Sequence, residues 1–123
     1  MSMTSYSNPE LSSFLQVLLR CPSITPQSAG TLEAITHFTD QLGFVSRRID
    51  CASTSNIYIS WPDTTNPTLL FCGHVDVVPP GELSSWTYPP FSGHDDNIYL
   101  HGRGAVDMKA SIAAFLFAVA RQH

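Results

Sequence analysis

Two short segments of this chain carry side chains that could do chemistry together. The first is His74-Val75-Asp76. Side chains two apart on an extended backbone point the same way, so His74 and Asp76 can touch. A metal-bound imidazole characteristically gives its other ring N–H to a carboxylate, which fixes the tautomer and makes the ligand more basic. On that reading His74 is a ligand and Asp76 orients it; the plainer reading is a satisfied core histidine. The second segment is Asp107, behind Gly102-Arg103-Gly104. A glycine-rich approach permits a tight turn and places a carboxylate at the start of a helix, where it is either a ligand or an ordinary N-cap.

The surrounding pattern predicts the elements that must hold these residues. Asn8-Pro9 is a helix-start signal. Leu11, Phe14, Leu15, Leu18 and Leu19 then form one helical stripe that ends at Cys21-Pro22. A second helix is expected from about Gln27 to Leu42, with Leu32, Ile35, Phe38 and Leu42 inward and Gly43 as its stop. Three strands are expected over Phe44 to Ile49, Ile57 to Trp61 and Thr68 to Cys72, rich in β-branched and aromatic residues. The third reads as central, because Leu69-Leu70-Phe71-Cys72 is apolar on both faces. It would deliver His74 and Asp76 at its C-terminal end, where open α/β sheets place their sites.

Val78 to Gly93, with four prolines and two glycines, reads as a shaped loop near the site. Asp95-Asp96-Asn97 offers a turn before a short strand, Ile98 to Leu100. A last helix runs from about Asp107 to Arg121 with Ile112, Ala113, Leu116, Val119 and Ala120 inward. The fold class is α/β, a mixed sheet flanked by helices in a single domain over 1–123.

Composition narrows the function. Hydrophobic residues make up 43% and charged residues 13%, a globular balance. The net charge of -4 includes no basic cluster, which argues against nucleic acid or an anionic membrane and for a small-molecule partner. Cys21, Cys51 and Cys72 are odd in number and lack CxxC spacing, pointing to structural, reduced thiols in a cytoplasmic protein. MSMTSYSNPE has neither the basic nor the apolar region of a targeting peptide. The run from Ile112 to Ala120 is far shorter than the roughly 20 residues needed to span a bilayer. His37, His94, His101 and His123 have no ligand spacing. Arg103 and Lys109 are either solvated or brace the site, and Trp86 and Phe91 either line a pocket or anchor the proline-rich loop.

Joined, GHVDVVPPGELSSWTYPPF and GRGAVDMKA resemble the first two metal motifs of the co-catalytic zinc peptidase family, which includes the aminoacylases and the succinyl-diaminopimelate desuccinylases. VVPPG and the W-x-x-PPF of Trp86, Pro89, Pro90 and Phe91 are most similar to the desuccinylase branch. The resemblance runs from about Leu11 onward and is specific between Gly73 and Lys109. Ala110 departs from it, since the family often has glycine there.

The resemblance implies that His74 binds one metal, that Asp76 orients His74 and acts in catalysis, and that Asp107 bridges two metals. It implies two zinc ions, with cobalt or manganese also accepted. The implied reaction converts N-succinyl-L,L-2,6-diaminopimelate and water to succinate and L,L-diaminopimelate, in enzymes that are homodimers. Acetylornithine, another acylated amino acid or a dipeptide is the alternative substrate, and a non-catalytic interaction domain with a relic half-site is the alternative class. The family's paired glutamates and later ligands fall downstream of the matched motifs, so an amino-terminal fragment with little or no activity is expected. Of Glu10, Glu33 and Glu82, none sits in a motif suited to a general base.

Overall fold

The computed structural model describes residues 9–63 and 65–122; Asn8 and His123 lie outside them. Three helices form one apolar core. Helix α1 spans Pro9–Arg20, α2 spans Thr31–Asp40 and α3 spans Ala110–Ala120. Leu15, Leu18 and Leu19 of α1 meet Ile35 of α2 and Ile112, Ala113 and Leu116 of α3. Leu18 and Leu19 are fully buried, and burial of each such side chain contributes about 1.5–3 kcal/mol. Phe14, Phe38 and Phe117 extend this core, with ring centroids 4.9, 5.0 and 6.0 Å apart.

The stripe expected on α1 is the one that is buried. Helix α2 begins four residues later than the pattern predicts, because Ala29 and Gly30 take left-handed backbone angles (φ 49° and 93°) that no helix can include. Thr31 then starts the helix, with its hydroxyl donating to the Ser28 carbonyl at 2.6 Å.

Strands β1 (Val45–Cys51) and β2 (Thr54–Ser60) form an antiparallel hairpin in register Val45 with Ser60 and Cys51 with Thr54. Ile57 and Ile59 pack against the core. Arg48 pins the hairpin to α2 by donating to Glu33 at 3.0 Å, and it also reaches Asp50 at 3.1 Å and Ser55 at 2.8 Å. A second, two-residue pair joins β3 (His94–Asp95) to β4 (Leu100–His101), across a turn in which Asp96 accepts the N–H groups of Ile98 and Tyr99.

Helices and strands are both present, as the α/β class requires, but the mixed sheet is not what the described residues form. The expected central strand, Thr68 to Cys72, has no ladder among them. Leu69 is 84% exposed and Leu70 75% exposed. An apolar pattern makes a strand only where a neighbour supplies backbone partners, and among the described residues β1 and β2 pair with each other and not with this segment. Phe71 is the anchor of this segment, stacked on Phe115 of α3 at 4.1 Å. Among the described residues a parallel bridge joins Ile24 to Val77.

Lys109 is a fully buried cation. Its ammonium donates to the carbonyls of Leu18 at 2.8 Å and Cys21 at 2.9 Å, capping the C-terminal end of α1. Burial pushes its pKa down to about 8, with the nearby Cys21 thiol pulling weakly the other way. Replacing it by Lys109→Met leaves two carbonyls without their donor, and urea unfolding should show a loss of about 1–3 kcal/mol. An unchanged midpoint would contradict the cap.

Candidate metal centre

Three segments meet at the candidate site: the turn after α1, the stretch from Gly73 to Val77, and the turn Ala105–Lys109 that precedes α3. The first two are stitched together by an isolated parallel bridge. Val77 N–H donates to the Ser23 carbonyl at 2.8 Å and Thr25 N–H to the Val77 carbonyl at 3.1 Å. The buried Ser23 hydroxyl donates to the Val75 carbonyl at 2.8 Å. The third segment reaches the second through Met108, whose Sδ accepts the His74 N–H at 3.4 Å. Gly73 makes this approach possible, since a Cβ there would lie 3.1 Å from Met108 Cε. Gly104, at φ 81°, is needed for a stronger reason: a Cβ would overlap Val77 Cγ1.

Asp107 does not open the last helix. Its backbone is extended (φ -126°, ψ 96°), and the helix proper starts at Ala110. The peptide between Asp107 and Met108 is cis. The N-cap reading of this carboxylate is therefore wrong. Instead of folding back on helix N–H groups, it crosses to the histidine 33 residues away, with His74 Nε2 3.1 Å from Asp107 Oδ1.

On the other side of the ring, Nδ1 lies 3.0 Å from the Asp76 backbone carbonyl and 3.3 Å from its Oδ1. The sequence pointed to the carboxylate alone; the structure shows carbonyl and carboxylate sharing this nitrogen. Asp76 is held in turn by the Thr25 hydroxyl, which donates to Oδ2 at 2.5 Å. Thr25 carried no motif signal, because its partner lies 51 residues away. These groups line a cleft of about 310 Å³ together with Arg103 and Gly104.

The electrostatics follow from the contacts. Partial burial works against a charged His74 ring, but the Asp76 carbonyl and the Asp107 carboxylate outweigh it and raise the pKa above the usual histidine value. The Thr25 hydroxyl is the main cause of a lowered Asp76 pKa; burial opposes it and His74 adds to it.

Two donor atoms of the types zinc prefers thus sit 3.1 Å apart. In a tetrahedral site with bonds of about 2.0–2.1 Å, adjacent ligand atoms are about 3.3 Å apart, so this pair fits one edge. Asp107 exposes 85% of its side chain, which leaves its other oxygen accessible. Among the described residues no group of three or more His, Cys, Asp or Glu side chains is arranged to hold a metal.

The remaining sequence candidates have other partners. His37 contacts Gln41 at 3.2 Å, His94 stacks on Tyr88 at 3.7 Å, and His101 pairs with Asp96 at 2.7 Å. Trp86 anchors the proline-rich loop, donating to the Pro80 carbonyl at 3.0 Å with the Arg103 guanidinium 5.1 Å above its ring. Glu33 is held by Arg48, and Glu82 accepts from Ser84 in its own turn. Glu10 lines a separate cleft with Phe14, Phe38 and Phe117. Cys21, Cys51 and Cys72 are all free thiols. No helix among the described residues is long and apolar enough to cross a membrane.

Residues 70–123 match the profile of Peptidase family M20/M25/M40. Over 98 residues the chain is 44% identical to succinyl-diaminopimelate desuccinylase of Paracoccus denitrificans (strain Pd 1222), covering 80% of this chain and 26% of that protein. The enzyme of the same name from Maricaulis maris (strain MCS10) is 44% identical over 106 residues, covering 86% and 27%. That from Caulobacter vibrioides (strain NA1000 / CB15N) is 45% identical over 105 residues, covering 85% and 27%. The chain therefore spans about a quarter of the length of these relatives. The resemblance drawn from the motifs is borne out.

The His74 contact makes a pH prediction. A histidine whose folded pKa is raised stabilises the fold fully below its unfolded value, and that contribution is lost as pH rises through the folded one. In the metal-free chain, NMR titration should place His74 above an ordinary histidine, and Asp107→Asn should bring it down. A midpoint that does not move with Asp107→Asn would contradict the contact.

Proposed function

We propose that these residues form part of a metal-dependent amide hydrolase that cleaves N-succinyl-L,L-2,6-diaminopimelate to succinate and L,L-diaminopimelate. The observation that carries this reading is the convergence of His74 Nε2 and Asp107 Oδ1 at 3.1 Å from two distant motifs. Identities of 44–45% to proteins named for that reaction support it. In this reading His74 and Asp107 are metal ligands, and Asp76 orients the His74 ring. The 123 residues form the amino-terminal portion of the catalytic domain of a helix-flanked, dimeric enzyme.

Bound zinc, or cobalt in its place, would polarise the amide carbonyl and lower the pKa of a bound water to about 7. The chain's own residues prepare for that in three ways. Asp76 takes the Nδ1 proton side of the ring through its carbonyl and Oδ1, which leaves the Nε2 lone pair directed at the cleft. Asp107 offers Oδ1 beside Nε2 and keeps its second oxygen open for another ion. The Trp86 and Arg103 contact holds the proline-rich loop against the cleft's edge.

Two ligands fall short of the three protein ligands of a usual catalytic zinc site. Glu10, Glu33 and Glu82 are placed elsewhere, so among the described residues no glutamate lies at the cleft to take the water's proton, an effect worth about 100 to 10,000-fold. The 123-residue chain should therefore bind zinc weakly, lose that binding in His74→Ala, and release succinate at least about 100-fold more slowly than a full-length relative. Assay of zinc content and turnover on the purified chain tests this. Tightly held stoichiometric zinc with ordinary turnover would overturn the proposed incompleteness, and zinc binding indifferent to His74→Ala would overturn the site.

A further inference from the structure

Thr25 stands at the end of a chain of contacts that the candidate chemistry does not by itself require. Its hydroxyl lies 2.5 Å from Asp76 Oδ2 and 3.3 Å from the Val77 carbonyl. A hydroxyl has one proton to give. The shorter contact is to a carboxylate, and hydrogen bonds to charged acceptors are the shorter and stronger kind, so the proton goes to Asp76.

The backbone around Thr25 makes that aim reproducible. Ser23 and Thr25 each exchange a backbone hydrogen bond with Val77, and the fully buried Ser23 fixes the Val75 carbonyl. Thr25 Oγ1 is thus carried beside an isolated parallel bridge whose partner, Val77, directly follows Asp76. With Oδ2 held, Oδ1 is turned toward His74 Nδ1 at 3.3 Å. The Asp76 side chain is 39% exposed, so without the hydroxyl it is free to rotate about its side-chain bonds into solvent.

We propose that Thr25 is a positioning residue for the metal centre, clamping the Asp76 carboxylate so that it holds the His74 ring with Nε2 facing Asp107. The role in metal binding rests on the hydrolase reading above, whereas the role in orienting Asp76 and His74 does not. Thr25→Val keeps the size and the backbone N–H bond to Val77 and removes only the hydroxyl. Thr25→Ser keeps the hydroxyl and removes a methyl.

Long-range ¹H–¹⁵N spectra of the metal-free chain, above the titration of the ring, report which His74 nitrogen carries the proton. The wild type and Thr25→Ser should favour the proton on Nδ1, and Thr25→Val should shift the ring toward the Nε2 form. Zinc affinity in a competition titration should fall roughly 10-fold in Thr25→Val and recover in Thr25→Ser, the size seen when a group orienting a metal ligand is lost. Thr25→Ala carries the same expectation and stands in if the valine variant loses its dispersed amide spectrum.

A tautomer balance unchanged in Thr25→Val, or a serine variant that behaves like valine, would overturn the proposal. The two readouts separate its failure from that of the hydrolase reading. A tautomer shift in a chain whose zinc binding ignores His74 keeps Thr25 as the clamp and removes the metal centre. His74-dependent zinc binding with an unmoved tautomer keeps the centre and removes the clamp.

Discussion

A single buried ammonium ties the candidate site to the core. Lys109 is almost fully buried, and its charge is met by the Leu18 and Cys21 carbonyls at the end of α1. Everything at the site leaves from one side or the other of that knot. Two residues before Lys109 is Asp107; a few residues after Cys21 are Ser23 and Thr25, which carry the segment bearing His74 and Asp76. A buried lysine without partners would shed its proton or find water. Placed on carbonyls at the negative end of a helix, it fixes the distance between two segments that share no regular ladder.

That arrangement explains how a half-exposed imidazole can be held on both sides. Secondary structure contributes little, because Gly73 to Asp76 belongs to no ladder and Asp107 lies in an irregular turn. The geometry comes from close packing at glycines and from hydrogen bonds across long stretches of chain. Gly104 admits Val77, Gly73 admits Met108, and Met108 Sδ takes the His74 N–H. The result is an imidazole between two carboxylate-bearing residues, a pattern that favours a cation: a proton in the metal-free chain, or a metal ion in the proposed enzyme.

Much of this was legible in the sequence where the signal was local. The leucine stripe of α1, the Ile112-Ala113-Leu116 face of α3 and the approximate positions of the first two strands arise from local patterns of a few residues, whereas their pairing as an isolated hairpin does not. His74, Asp76 and Asp107 were found because two short strings spelled them together. What escaped depends on partners far away in the chain. Thr68 to Cys72 has the composition of a central strand, but a strand is defined by its neighbours, and composition cannot supply them. Asp107 had the profile of an N-cap, yet its backbone is extended and its side chain turns to His74. Lys109 was open between solvent and a bracing role, and only its burial against α1 decides for the brace. Thr25 gave no sign, since one hydroxyl bonded across 51 residues leaves no spacing to read.

In the proposed enzyme His74 and Asp107 hold one ion between them. Zinc-edge X-ray absorption on the zinc-loaded chain tests this most directly. It should show imidazole nitrogen and carboxylate oxygen at about 2.0–2.1 Å, with the imidazole signal lost in His74→Ala. A shell dominated by sulfur at about 2.3 Å, from Cys21, Cys51 or Cys72, or one that His74→Ala leaves intact, would contradict it.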